Sequence, residues 1–161
     1  MSPRLIVATG NQHKLEELRR ALPGMDIRAL GRDDPPPEDG ATFEDNARIK
    51  ARFARAHADT DVWAVGEDSG IEAAALDGVT DRAARYVCVI VAVGPEGEEV
   101  VARGTLAGSI ALSAAGDEGF GFDPVFVPEG ESATVAVLGD AWKRTHSHRA
   151  RAATALAELL A

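Results

Sequence analysis

Apolar residues recur along this chain with two different periods, and the switches between them order its elements. Leu5 to Ala8 form an unbroken apolar run that reads as a buried strand, Arg4 to Thr9. Leu15, Leu18 and Leu22 then fall at helical spacing, with Glu16 and Glu17 in an early turn and Pro23-Gly24 as the stop. Met25 to Leu30 is a short second strand, so the chain opens strand, helix, strand, which suits a parallel pair. The stretch GRDDPPPEDG is an exposed loop, and Thr42 caps a helix that carries Phe43, Ala47, Ile49, Ala51, Phe53 and Ala54 to an end near Ala58. Strand VWAVG follows and delivers Glu67-Asp68-Ser69-Gly70 at its C-terminal end, after which the chain looks extended from Ile71 to Leu76 and turns at Asp77-Gly78.

ARYVCVIVAV and EEVVARGTLAGSIAL, joined by GPEG, predict a long β-hairpin. GDEGFGFDP is a glycine-rich loop, PVFV a short strand and VAVL a further one. The tail from Ser147 to Leu160 forms a docked helix through Ala155, Leu156, Leu159 and Leu160. The pattern predicts one α/β domain over residues 1–161.

Composition narrows the class. A chain of 161 residues with 45% hydrophobic and 27% charged residues is that of an ordinary globular domain, and it has no apolar run of the roughly 18 residues that a membrane span needs. MSPRLIVATG turns polar too soon for a signal peptide, and the single Cys88 sits in an apolar run, so a buried thiol and a cytoplasmic location are expected. A formal charge of -9 argues against a protein that neutralises many nucleic-acid phosphates. It leaves room for a small polyphosphate held locally by a few cations, helix amides and a divalent metal.

Four stretches carry candidate chemistry. Thr9-Gly10-Asn11 lies at a strand-to-helix junction with Lys14 one turn on, a place where free amides favour an anion; the same residues would also serve as a plain helix cap. Glu67 and Asp68 could hold a metal or take a proton from water, or simply form a turn with Ser69. Glu38, Glu44 and Asn46 add oxygen donors nearby in sequence. In GFGFDP, Phe120 and Phe122 either share a core face or clamp a flat ring, with Asp123 available to its edge. In WKRTHSHR, Ser147 caps the last helix, and the spacing of His146 and His148 permits a metal pair but supplies no third ligand.

Taken in order, ATGNQHKLEEL, TFEDNARIKARFA, EDSGIEAAAL, RYVCVIVAV, GFGFDPVFVP and SHRARA resemble the inosine triphosphatase family, pyrophosphatases that remove non-standard purine nucleoside triphosphates from the nucleotide pool. The resemblance implies a two-lobed α/β fold, a mixed sheet flanked by helices with a central nucleotide-binding cleft. It also implies a homodimer and Mg²⁺-dependent hydrolysis of ITP, dITP or XTP to the monophosphate and pyrophosphate. Carried over by position, Thr9, Gly10, Asn11, Lys14 and Lys50 hold the phosphates. Asp68 is the general base, with Lys14 the catalytic cation, and Glu38, Glu67 and Asp68 serve the metal. Ser69, Phe120, Gly121, Phe122, Asp123, Lys143, His148 and Arg149 line the nucleotide site. Neither a nucleic-acid nor a membrane partner is implied.

Two departures stand out. Glu67 replaces the family's usual first aspartate. After Leu76 the chain also lacks a segment with a Ser-Ala-Arg-Tyr-like motif and a further helix, and Arg85-Tyr86 is not that motif, because it aligns with the start of the next strand. Either the segment is deleted, or a mobile lid belongs there whose residues are not in the sequence as written. The lid reading is preferred, since the cover of a cleft is its most mobile part. An intact mass of 16.9 kDa would mean deletion. The alternative to an enzyme is a catalytically weakened nucleotide-binding protein without its lid.

Overall fold

The computed structural model describes residues 3–73 and 82–161. Its elements are β1 (Arg4–Val7), α1 (Gln12–Ala21), β2 (Asp26–Ala29), α2 (Phe43–His57), β3 (Trp63–Ala73), β4 (Ala83–Val93), β5 (Glu99–Ile110), β6 (Phe126–Pro128), α3 (Val135–His146) and α4 (His148–Leu159). Six strands form one mixed sheet in the order β2-β1-β3-β4-β5-β6. β1 pairs in parallel with β2, as suits the opening strand-helix-strand pattern, and also with β3, while β3 to β6 run antiparallel.

Helices cover both faces. On one, Leu15, Leu18 and Leu22 meet Leu5, Val7, Val65, Ile90 and, from α4, Ala152, Ala153 and Leu156. On the other, Ala47 and Ala51 of α2 pack on Val87, Val89, Val91 and Val93. The continuous apolar run of β4 is explained by burial on both sides, as in any strand roofed twice. Close approach of the helices depends on small residues in the sheet. A Cβ at Gly66 would run into the Ala47 carbonyl and the Ala51 amide of α2, and one at Gly104 into the His148 carbonyl and the Ala152 amide of α4.

Two expectations are corrected here. VAVL is the first turn of α3, not a strand: Thr134 stands at its N-cap, and Gly139, at φ 80°, kinks the helix where a strand reading would have ended. Glu67-Asp68-Ser69-Gly70 neither ends a strand nor forms a turn, because β3 runs straight through it to Ala73, paired with β4 from Ala64↔Val93 to Ala73↔Ala84. The rest of the extended segment to Leu76, the turn at Asp77-Gly78 and the point of the missing segment lie outside the described residues. The caps are as expected: the side chains of Asn11, Thr42 and Ser147 accept from the amides of Lys14, Asp45 and Ala150.

Candidate active site

β1 pairs with β3 only as far as Val7↔Val65, while β3 continues for eight more residues. Beyond that point the β3 edge faces the Thr9-Gly10-Asn11 turn, so side chains from both sheet faces and from the β1–α1 junction meet there. Period-two alternation then separates the two acids. Glu67 shares the face of Val65 and Cys88, under α1 and α4; Asp68 shares the face of Gly66, under α2.

Glu67 is fully enclosed and ringed by donors. Lys14 Nζ lies 3.0 Å from its Oε2, and Arg149 Nη2 and Cys88 Sγ lie 3.1 and 3.3 Å from its Oε1. Burial would raise its pKa, but Arg149 and Lys14 outweigh it and hold the carboxyl well below the usual range. The same burial, with Glu67 beside it, pushes the Cys88 thiol up. Arg149, itself buried, also pairs with Glu17 and donates to Ser69 Oγ at 2.8 Å, and Glu67 raises its pKa against the burial.

On the opposite face, Lys50 Nζ donates to Glu38 Oε2 at 2.9 Å and to Asp68 Oδ1 at 3.2 Å. Two carboxylates from distant segments therefore converge on one cation. The acidic loop that brings Glu38 is anchored by Asn46, whose Oδ1 accepts from the Gly40 amide at 2.8 Å. Glu67 is not part of this group: the sheet lies between, and its oxygens are spent on Lys14, Arg149 and Cys88. Among the described residues no three His, Cys, Asp or Glu side chains come together as a metal cluster. His146 and His148 do not pair either. His146 stacks on Trp142, 4.9 Å between centroids, while His148 is buried against Tyr86.

Two adjoining recesses share Lys14. The first, about 250 Å³, is bounded by Thr9, Gly10, Asn11, Lys14, Glu38 and Lys50 together with the prolines of the acidic loop. Thr9 Oγ1 accepts from the Asn11 amide at 3.1 Å, so this turn is both a helix cap and a pocket wall, and the space beside Gly10 is open. The second, about 190 Å³, is bounded by Ser69, Tyr86, Phe120, Gly121, Phe122, Asp123, Lys143, His148 and Arg149. Phe120 and Phe122 lie in a turn, not a strand; Phe120 stacks on His13 at 5.2 Å, with Lys143 and Arg149 at 4.9 and 5.7 Å from its ring centre, and Phe122 is 53% exposed.

Asp123 is buried and holds the turn together, accepting from the Phe120 amide at 2.9 Å, Lys143 Nζ at 2.7 Å and the Tyr86 hydroxyl at 3.1 Å. His148 lies flat on Tyr86, centroids 4.5 Å apart. Burial first, then Arg149, Lys143 and Lys14, lower its pKa to about 3 against the pull of Glu67, so the imidazole is neutral at working pH. Glu17, which the sequence marks only as an acid in an early turn, pairs with both Lys143 and Arg149. The signal for it was its place one helical turn past Lys14, on the same side of α1.

The model of the Ham1 family matches residues 5–80 and 78–159 of this chain. The two stretches meet where the sequence departs from the inosine triphosphatase pattern. A dITP/XTP pyrophosphatase of Bdellovibrio bacteriovorus is 38% identical over 193 aligned positions, covering 97% of this chain and 96% of that protein. Another, of Mycobacterium tuberculosis, is 39% identical over 188 positions, covering 92% and 91%. Both alignments are longer than the 161-residue chain, so both leave gaps in it. The Ham1 protein of Staphylococcus aureus superposes with a TM-score of 0.83 at 29% identity, covering 98% of this chain and 97% of that one. A dITP/XTP pyrophosphatase of Mycobacterium abscessus does so at 0.69 and 38% identity, covering 95% and 98%. With the family model spanning nearly the whole chain and relatives this similar along its length, the chain belongs to the Ham1 family.

Proposed function

We propose that this chain, as one domain over residues 1–161, hydrolyses non-standard purine nucleoside triphosphates of the ITP, dITP and XTP class to the monophosphate and pyrophosphate. The observation that carries this reading is the pair of recesses meeting at Lys14, one of a size and charge for phosphates and the other walled by aromatic rings and cations. Thr9, Gly10, Asn11, Lys14 and Lys50 take the phosphates: Gly10 leaves the backbone accessible, and the two lysines offset a charge of about four on the triphosphate. The base enters between Phe120, Phe122 and His148, with Ser69, Gly121, Asp123, Lys143 and Arg149 around it.

Asp68 is the general base. Lys50, which lines the phosphate recess, donates to its Oδ1 at 3.2 Å and so ties the carboxylate to that recess, where it orients and deprotonates water. Glu38 and Asp68 fit a divalent ion in their chemistry, since two hard oxygen donors already converge on a single cation, Lys50 Nζ. Mg²⁺ suits such a site, being commonly held by one or two carboxylates with water and substrate phosphates completing the shell, and when bound it neutralises developing phosphate charge. The chain works as a cytoplasmic homodimer; among the described residues no helix is long and apolar enough to cross a membrane.

Selectivity follows from donors. A 6-keto purine accepts from the cationic wall, whereas adenine presents an amine where the site also offers donors. The test is pyrophosphate release from ITP, XTP, ATP and GTP with Mg²⁺, alongside Asp68→Asn. Release from ITP and XTP, little from ATP, and a loss of about a hundredfold or more in the variant are expected. Binding of ITP without release above the variant's background would instead make the chain a nucleotide binder weakened by the absent segment.

A further inference from the structure

The phosphate recess carries a further cation on its wall, Arg32, beside Lys14 and Lys50. The guanidinium lies 5.8 Å from the ring centre of Phe53, a residue of the same wall that stands one helical turn past Lys50 on α2. Asp34 holds one edge of it, accepting from Nε at 2.7 Å and from Nη2 at 2.6 Å. A guanidinium has donors on all three nitrogens in a fixed plane. Among the described residues Nη1 has no hydrogen-bond partner, so a second edge is left for an anion.

The sheet order puts Arg32 at the end of the site farthest from the base. Across the sheet the strands run β4, β3, β1, β2. Tyr86 and Ser69, which wall the ring-binding recess, lie on β4 and β3, and the Thr9 turn follows β1. Arg32 follows β2, just after the point where the Leu30 amide donates to the Val7 carbonyl at 2.9 Å. A nucleotide with its base in the first recess and its phosphates beside Thr9 and Lys14 therefore extends its last phosphate toward Arg32. The local charges favour this too. Lys14 is shared with Glu67, and Lys50 with Glu38 and Asp68, whereas among the described residues Arg32 has only the single carboxylate of Asp34.

We infer that Arg32 binds the terminal phosphate of the nucleotide and so selects triphosphates over diphosphates. This rests on the pyrophosphatase reading above. Arginine suits the task because its planar fork keeps Asp34 on one edge while it offers paired donors to phosphate oxygens from another. A diphosphate, one unit shorter, does not reach it.

The experiment follows pyrophosphate release from ITP with IDP added as a competitor. IDP yields phosphate rather than pyrophosphate, so it registers only through inhibition. Hydrogen bonds to charged groups are strong enough that kcat/KM for ITP should fall about tenfold to a hundredfold in Arg32→Ala. The inhibition constant of IDP should stay at its wild-type value. With 39% of its side chain exposed and a partner only two residues on, Arg32 is replaceable without loss of the fold, which urea unfolding checks. Arg28→Ala is the control for net charge: Arg28 makes the same kind of local pair, with Asp26, but does not line the recess, and its loss should change neither constant. In the wild type itself, IDP should inhibit with a constant about tenfold or more above the KM of ITP.

An unchanged kcat/KM for ITP in Arg32→Ala overturns the inference and leaves the proposed function standing. So does an equal weakening of ITP and IDP in that variant, which would make Arg32 a general phosphate contact, or an equal loss in Arg28→Ala. Should Arg32→Ala not fold, the wild type decides: an IDP constant equal to the KM of ITP overturns the inference as well. No ITP turnover in the wild type overturns the proposed function, and this inference with it.

Discussion

Replacing Glu67 by Gln removes one buried charge at nearly constant volume and so tests whether that carboxylate holds the two cations above it. Among the described residues Glu67 is the only carboxylate partner of Lys14, at 3.0 Å, whereas Arg149 keeps Glu17. Removing one member of a buried ion pair costs about 3–5 kcal/mol, because the surviving charge is left uncompensated. Lys14 is partly solvated, with 18% of its side chain exposed, and Arg149 retains a partner, so the lower end, about 3 kcal/mol, is expected.

The pH dependence has a definite sign. The pKa of Glu67 is lower in the fold than its ordinary value of 4.5, so its contribution is complete above that value and is lost as pH falls below it. Urea unfolding followed by the fluorescence of Trp63 and Trp142 should therefore show the variant about 3 kcal/mol less stable near pH 7, with the gap narrowing below about pH 4.5. Equal stability at pH 7, or a gap that stays constant into acid, would refute the electrostatic account.

Three other outcomes are expected. His148 has its pKa lowered from 6.5 to about 3 by burial and the neighbouring cations, so the unfolded chain binds the proton first and stability falls below pH 6.5 by up to about 1.4 kcal/mol per unit. In His148→Gln the stability-against-pH curve should be flatter between about pH 6.5 and pH 4.5. Gly104→Ala, which drives a methyl group into the α4 backbone, should cost about 2 kcal/mol or more in chemical denaturation. By contrast Gly10→Ala meets nothing in the folded chain, so stability should stay within about 0.5 kcal/mol while KM for ITP rises as the phosphate recess narrows.

Local signals carried much of this structure. Helical spacing of Leu15, Leu18 and Leu22, the GPEG hairpin and the caps at Asn11, Thr42 and Ser147 all act within a few residues, where sequence is most informative. Errors fell where long-range pairing decides. Nothing inside EDSG says that β4 will pair across it, yet ten register pairs carry β3 through to Ala73. VAVL is four apolar residues, too few to separate helix from strand by period, and Gly139 cuts the pattern off. At the site, most residues named from the order of motifs line the two recesses, whereas Asp68 reaches them only through Lys50 and the sheet parts Glu67 from Glu38 and Asp68. That division needs the strand's side-chain alternation, which a turn reading of the same four letters hides.

The alternation of β3 has a consequence for how the protein tolerates change. Glu67 and Asp68 differ by one residue and belong to different halves of the site, so a register slip of one place would exchange them: an acid would lose its lysine on each face at once. The apolar partners across the strand, Val89 and Ile90, fix that register from the core. An insertion between Val65 and Gly70 would therefore dismantle both halves together. Through this stretch the strand admits changes of side chain but not of length.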